Sequence, residues 1–168
     1  MKKATTSVII SGFLLFVFFS SYNVMAQDTV RLVAIGAQVW NTTNLNVSHF
    51  KNGDPIPEAE STNEWSKAAK EGTPAWCYYN NDPQNGEKYG KLYNWFAVTD
   101  PRGLAQEGWH IPQDAEWTAL TTYFDDENDA NSNLKSNTGW KSIKEGETGN
   151  GTNSSGFSAL PGGWRDAD

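Results

Sequence analysis

Cys77 is the one thiol in a chain of 168 residues, and His49 and His110 are its only imidazoles. A thiolate nucleophile needs a base to activate it, and neither histidine stands in a motif that supplies one, so a Cys–His catalytic pair is not expected. Cys77 lies in Ala75-Trp76-Cys77-Tyr78-Tyr79, an apolar and aromatic run. Three readings stay open: a buried, inert thiol that packs as a small apolar residue, half of a disulfide whose partner lies elsewhere, or a catalytic thiol. There is no Gly-x-Ser-x-Gly elbow for a serine nucleophile, and the ligands for a zinc site are missing. The expectation is therefore no catalytic residue and no metal-binding residue.

Asp125, Asp126, Glu127 and Asp129 concentrate carboxylate oxygens in what reads as a loop, the chemistry that calcium prefers. The spacing is not that of an EF-hand, so a solvated acidic loop is the simpler reading and calcium the alternative. No other cofactor is expected. The aromatic residues offer different chemistry. Trp76, Tyr78, Tyr79 and Trp164 adjoin polar loops, where exposed rings can stack on sugar faces, and Arg165 follows the last of them. These five are the candidate ligand-binding residues, although aromatic rings also build cores because each contributes a large buried area.

The elements that would position these groups follow from periodicity and turn chemistry. Residues 30–50 read as paired strands: Val30, Leu32 and Ala34 alternate, Gly36-Ala37 offers a turn, and Val39-Trp40 restarts the pattern before Leu45 and Val47. Ser61-Thr62-Asn63-Glu64 matches a capping box and predicts a helix with Trp65, Ala68 and Ala69 on one face, ending at Gly72. Residues 76–79 read as a strand, 80–86 as a polar loop, and 91–98 as a short helix carrying Leu92, Trp95 and Phe96 at helical spacing. After Pro112 a second clear helix is expected to about Phe124, with Trp117, Leu120 and Phe124 inward and Asp114 and Thr118 exposed. Asp114 and Glu116 fall in its first turn, where the helix dipole favours them. Trp140 is expected on a short strand, residues 148–155 in a loop, and 156–165 on a strand that ends in a tight glycine turn. Helices flanking several short strands, with long loops between, indicate an α+β domain.

The front of the chain reads differently. Lys2 and Lys3, an apolar run over 8–19, and Val24-Met25-Ala26 make a signal peptide over 1–26, cleaved after Ala26. The run falls short of the roughly 20 residues that span a bilayer, so no membrane span is expected after cleavage. The remainder, 27–168, suits one domain, and without Lys2 and Lys3 it carries 11 basic against 20 acidic residues. Such a balance repels a phosphate backbone and excludes nucleic acid as a partner. Secretion to the periplasm, the medium or the cell surface is the expected location.

Several blocks in order point to a family. Ile35-Gly36-Ala37-Gln38-Val39-Trp40, Asn52-Gly53-Asp54-Pro55-Ile56-Pro57, Pro74-Ala75-Trp76-Cys77-Tyr78-Tyr79-Asn80-Asn81-Asp82, Tyr89-Gly90-Lys91-Leu92-Tyr93-Asn94-Trp95-Phe96, Gly108-Trp109-His110-Ile111-Pro112 and Gly156-Phe157-Ser158-Ala159-Leu160-Pro161-Gly162-Gly163-Trp164-Arg165 together resemble the Fibrobacter succinogenes major paralogous domain. Pro112-Gln113-Asp114-Ala115-Glu116-Trp117 also resembles a helix start of the formylglycine-generating enzymes, with Gln113 where a hydroxyl residue is usual. The resemblance implies a C-type-lectin-like fold, with two or three short helices flanking short antiparallel strands and long loops. It further implies a domain incomplete at its C-terminus, with the partner of Cys77 in the absent segment. The function expected is an exported, non-enzymatic binding or adhesion module of the bacterial cell envelope, with an extracellular glycan or protein as partner. The alternatives are a degenerate formylglycine-generating-enzyme-like protein and a calcium-assisted lectin-like binder.

Overall fold

Gly36 and Ala37 reverse the chain in two residues, and the segments on either side pair. Strand β1 (Leu32–Ile35) runs antiparallel to β2 (Gln38–Asn41), with Val33 opposite Trp40 and Ile35 opposite Gln38. Gly36 holds φ +60°, the positive value that a type II′ hairpin places at its first central residue. The computed structural model describes residues 31–142 and 144–167, so the expected signal peptide lies outside the described residues. Among the described residues no helix is long and apolar enough to cross a membrane. Paired strands were expected across 30–50, but past β2 this region adds only one antiparallel bridge, between His49 and Pro55.

Helix α1 (Thr62–Glu71) starts and stops where its residue types require. Ser61 Oγ accepts from the Glu64 amide, Glu64 accepts from the Ser61 amide, and Gly72 ends the helix in the left-handed region. Its buried residue is Trp65, which packs with Ala59, Ala75 and Cys77. The next strand, β3 (Trp76–Cys77), pairs antiparallel with β4 (Leu92–Tyr93), setting Trp76 opposite Tyr93 and Cys77 opposite Leu92. A single turn of 3-10 helix (Tyr79–Asn81) and helix α2 (Pro83–Tyr89) fill the connection.

Asn94 joins these pieces. Its Oδ1 accepts from the Ala75 and Ala97 amides at 3.0 and 2.9 Å, and its Nδ2 donates to the Thr73 carbonyl at 2.8 Å. One buried side chain thereby caps α3 (Trp95–Val98) and fixes the chain entering β3. Ala97 then packs with Phe50, Ile56, Trp76 and Leu104 in a second cluster. Ile35, Trp40 and Leu120 make a third, which joins the hairpin to α4 (Asp114–Thr122). Helix α5 (Glu127–Leu134) follows, and the rest of the described chain is irregular. Five short helices and two antiparallel strand pairs among the described residues make an α+β fold.

Five helices exceed the two or three expected, and the reason is chemical. Helix α2 replaces part of the predicted polar loop: Asp82 caps it, Pro83 opens it, and its buried residue is Gly86, which leaves no apolar stripe in the sequence. Helix α5 replaces the predicted acidic loop, with Ala130 as its buried residue. The single helix expected over 91–98 is a strand followed by a short helix, because Asn94 caps at its centre, and Trp95 is turned out to solvent. In α4, Leu120 is buried as expected, but Trp117 is 45% exposed, its ring lying 5.0 Å from that of Trp40. No regular strand forms at Trp140 or over 156–165. Trp140 Nε1 donates to the Ala159 carbonyl at 2.9 Å, and Ala159 makes an isolated parallel bridge with Lys135. At the start of α4 the Gln113 amide donates to Glu116 Oε2 at 2.9 Å, so one half of a capping box persists without a hydroxyl.

Candidate functional site

Two consecutive asparagines, Asn80 and Asn81, sit in the left-handed region at φ 56° and 53°. Asparagine tolerates that region better than most residues. The tight turn swings Tyr79 outward, away from buried Cys77 and half-buried Tyr78. Across from it runs the segment that carries Trp164 and Arg165. Gly163 has φ +74°, and a Cβ there would stand 2.5 Å from the Tyr79 ring, so only glycine lets the two segments approach this closely. Between them lies a cleft of about 190 Å³, lined by Thr62, Tyr79, Asn80, Asn81, Leu92, Trp164 and Arg165.

The cleft's far wall is tied to the core. Trp65 Nε1 donates to the Asp166 carbonyl at 2.7 Å, which fixes the backbone one residue past Arg165. Arg165 Nη1 donates to Asn81 Oδ1 at 2.6 Å and Nη2 donates to Thr62 Oγ1 at 3.1 Å. Its guanidinium carbon lies 5.3 Å from the Trp65 ring, within cation–π range. Two elements distant in sequence, α1 and the Asn80-Asn81 turn, therefore converge on one guanidinium. Trp164 is left 74% exposed and Tyr79 39% exposed, both beside the polar amides.

Beneath the cleft lies Cys77, with no exposed surface. Burial pushes its thiol above the usual range, and the nearby Arg165 offsets this only in part. A thiol held protonated and covered has the opposite of a nucleophile's properties.

The five sequence-expected residues divide. Tyr79, Trp164 and Arg165 come together at the cleft. Trp76 is in the core, only 6% exposed, and its Nε1 donates to the Ile56 carbonyl at 2.9 Å. Tyr78 is half-buried, edge-on to Trp76 with ring centres 5.1 Å apart. Lys91 Nζ caps the same pair, 4.4 Å from the Trp76 ring, while donating to Asn46 Oδ1 at 2.8 Å. Thr62, Asn80, Asn81 and Leu92 were not expected in a site. The tandem Asn80-Asn81 before Asp82-Pro83 was the available signal for a sharp turn; nothing local marks Thr62 or Leu92.

The other chemical groups lie elsewhere. Asp126 Oδ1 accepts from the Asn128 and Asp129 amides at 2.8 and 2.9 Å, so this carboxylate caps α5. Among the described residues, no group of three or more His, Cys, Asp or Glu side chains is placed to hold a metal ion. His110 Nε2 pairs with Glu116 Oε1 at 2.6 Å and His49 Nδ1 with Ser48 Oγ at 3.1 Å, both on exposed surface. Residues 33–168 match the family model described as the Fibrobacter succinogenes major domain. No curated protein and no solved structure matches the chain.

Proposed function

The chain belongs to the Fibrobacter succinogenes major domain family, and from that footing we propose that it is an exported, non-enzymatic module of the cell envelope that binds a saccharide in the Tyr79–Trp164–Arg165 cleft. The observation that carries the reading is Trp164, 74% exposed on a backbone that packs against Tyr79 at Gly163 and is tethered by the Trp65–Asp166 hydrogen bond. A large aromatic face kept in water forgoes the burial that ordinarily stabilises it, and a ring on a tethered backbone beside hydrogen-bonding amides suits a flat, polar partner. Asn80 and Asn81 supply the donors and acceptors that hydroxyl groups need. Exported localisation and a C-type-lectin-like fold belong to the same proposal. Catalysis has little support, since the single thiol is covered and its ionisation suppressed.

A glycan array followed by calorimetric titration of the best ligands tests the reading, with Trp164→Ala and Tyr79→Ala run beside the wild type. The wild type is expected to bind an oligosaccharide, and removal of either ring to weaken it about tenfold or more, as the loss of roughly 1.4 kcal/mol of ring contact implies. A wild-type protein that binds no glycan, or a Trp164→Ala variant that binds like the wild type, overturns it.

A further inference from the structure

We infer that the saccharide taken by this cleft is acidic, with the guanidinium of Arg165 receiving its carboxylate while the Trp164 and Tyr79 rings take the sugar. The inference rests on the cleft being a saccharide site. It adds the ligand's charge, and three observations support it.

The first is the set of partners around Arg165. Arg102 is held by two carboxylates, Asp100 at 2.8 Å and Asp54 at 3.1 Å. Arg165 has no such counter-ion among the described residues; its partners are an amide oxygen, a hydroxyl and an indole face. Acidic residues outnumber basic ones by 20 to 13 in this chain, so carboxylates are not scarce. The second is donor arithmetic. A guanidinium has five N–H groups. Asn81 and Thr62 take one each, and Cys77 Sγ takes at most one. At least two remain for a ligand, and a hydrogen bond from a charged guanidinium to a carboxylate is stronger than one between neutral groups. The third is the charge of the cleft. Among the described residues that line the cleft, every other one is neutral, so the guanidinium is the single charge there. The chain's overall −7 does not cancel it, since exposed charges are screened beyond about 8 Å at physiological salt. Because neutral groups already orient the fork, a ligand carboxylate would meet it without the cost of ordering a free side chain.

The test uses oligosaccharides of galacturonic, glucuronic and mannuronic acid, each as the free acid and as its methyl ester, titrated into the purified protein by calorimetry. Esterification removes the charge and keeps the sugar ring, so the comparison within each pair isolates the carboxylate. At least one free acid is expected to bind about tenfold more tightly than its ester, as a charge-assisted pair allows. In Arg165→Gln the acid should lose its advantage, the acid-to-ester affinity ratio falling to about one whatever the affinity of the ester itself. Acid and ester binding equally well to the wild type overturns the carboxylate inference and leaves the saccharide site standing. If neither form of any sugar binds and the glycan array is also blank, both fall. Should Arg165→Gln fail to fold, the acid-to-ester ratio on the wild type still decides, and its dependence on salt gives a second reading of the same charge.

Discussion

Truncating Asn94 to alanine removes three hydrogen bonds, but their losses are unequal. The Ala97 amide also donates to the Asn94 backbone carbonyl at 3.1 Å, so it keeps a partner. Thr73 is exposed, and its carbonyl can turn to water. The Ala75 amide has neither recourse: Ala75 is 2% exposed, and its hydrogen bond goes to Asn94 Oδ1. Leaving that donor buried and unpaired costs about 1–3 kcal/mol, and losing the side-chain cap of α3 adds about 1 kcal/mol. Asn94→Ala should therefore destabilise the domain by roughly 2–4 kcal/mol. In a domain of this size, a melting-point drop on the order of 10 °C follows. Urea melts followed by tryptophan fluorescence give the free energy directly. Thr99→Ala at the other end of α3 is the control, since Thr99 Oγ1 donates to the Trp95 carbonyl in full exposure and its removal should stay within about 0.5 kcal/mol. An Asn94→Ala cost below about 1 kcal/mol would refute the orphaned-donor reasoning, because the least such a donor costs is about that much.

Hydrogen bonds from Arg102 hold the Asp100 carboxyl down to about 2, and Asn52 with Arg102 lowers that of Asp54. Both folded values lie below the unfolded ones, so their contribution to stability is present above about pH 4 and is lost as pH falls toward the folded values. Carboxyl-carbon NMR titration should place the Asp100 midpoint near 2, and a midpoint at the ordinary 3.8 would remove the basis for this. Gly86→Ala gains about 0.5–1 kcal/mol of helix propensity but overlaps the Tyr78 ring, itself packed on Trp76, at about 1–3 kcal/mol. A net loss is expected in denaturant melts, and a stabilised variant would contradict the packing. Cys77 should resist iodoacetamide in the native protein at pH 8 and react fully in denaturant, as mass spectrometry would show; rapid native labelling would contradict its burial. Trp117→Ala is expected to cost about 2 kcal/mol, below the roughly 3–5 kcal/mol for a fully buried aromatic, because the ring is 45% exposed. A loss at the top of that range would mean the ring is better covered than its exposure indicates.

Local chemistry was legible wherever neighbouring residues satisfy one another. The Ser61–Glu64 box, the Gly72 stop and the Gly36-Ala37 turn are short-range events, so the residues that make them suffice to specify them. The α+β class was readable for the same reason. Helices α2 and α5 were hidden because a helix reveals itself through an apolar stripe, and theirs is reduced to Gly86 in α2 and to Ala130 with Leu134 in α5. The direction of Trp117 was hidden because spacing defines a face, while Trp40 and Phe157 decide how deeply that face is covered.

The candidate site follows the same division. Composition and position beside polar loops were enough to nominate Tyr79, Trp164 and Arg165, but the same reasoning nominated Trp76, whose indole N–H is spent on Ile56. Separating the ring at the surface from the ring in the core takes the packing of β3 against β4 and of Phe50, Ile56 and Leu104 against Trp76. The convergence on Arg165 depends on partners 84 and 103 residues away. Contacts at that separation leave no periodicity along the chain; they exist only once the core has brought α1, the Asn80-Asn81 turn and the final segment together.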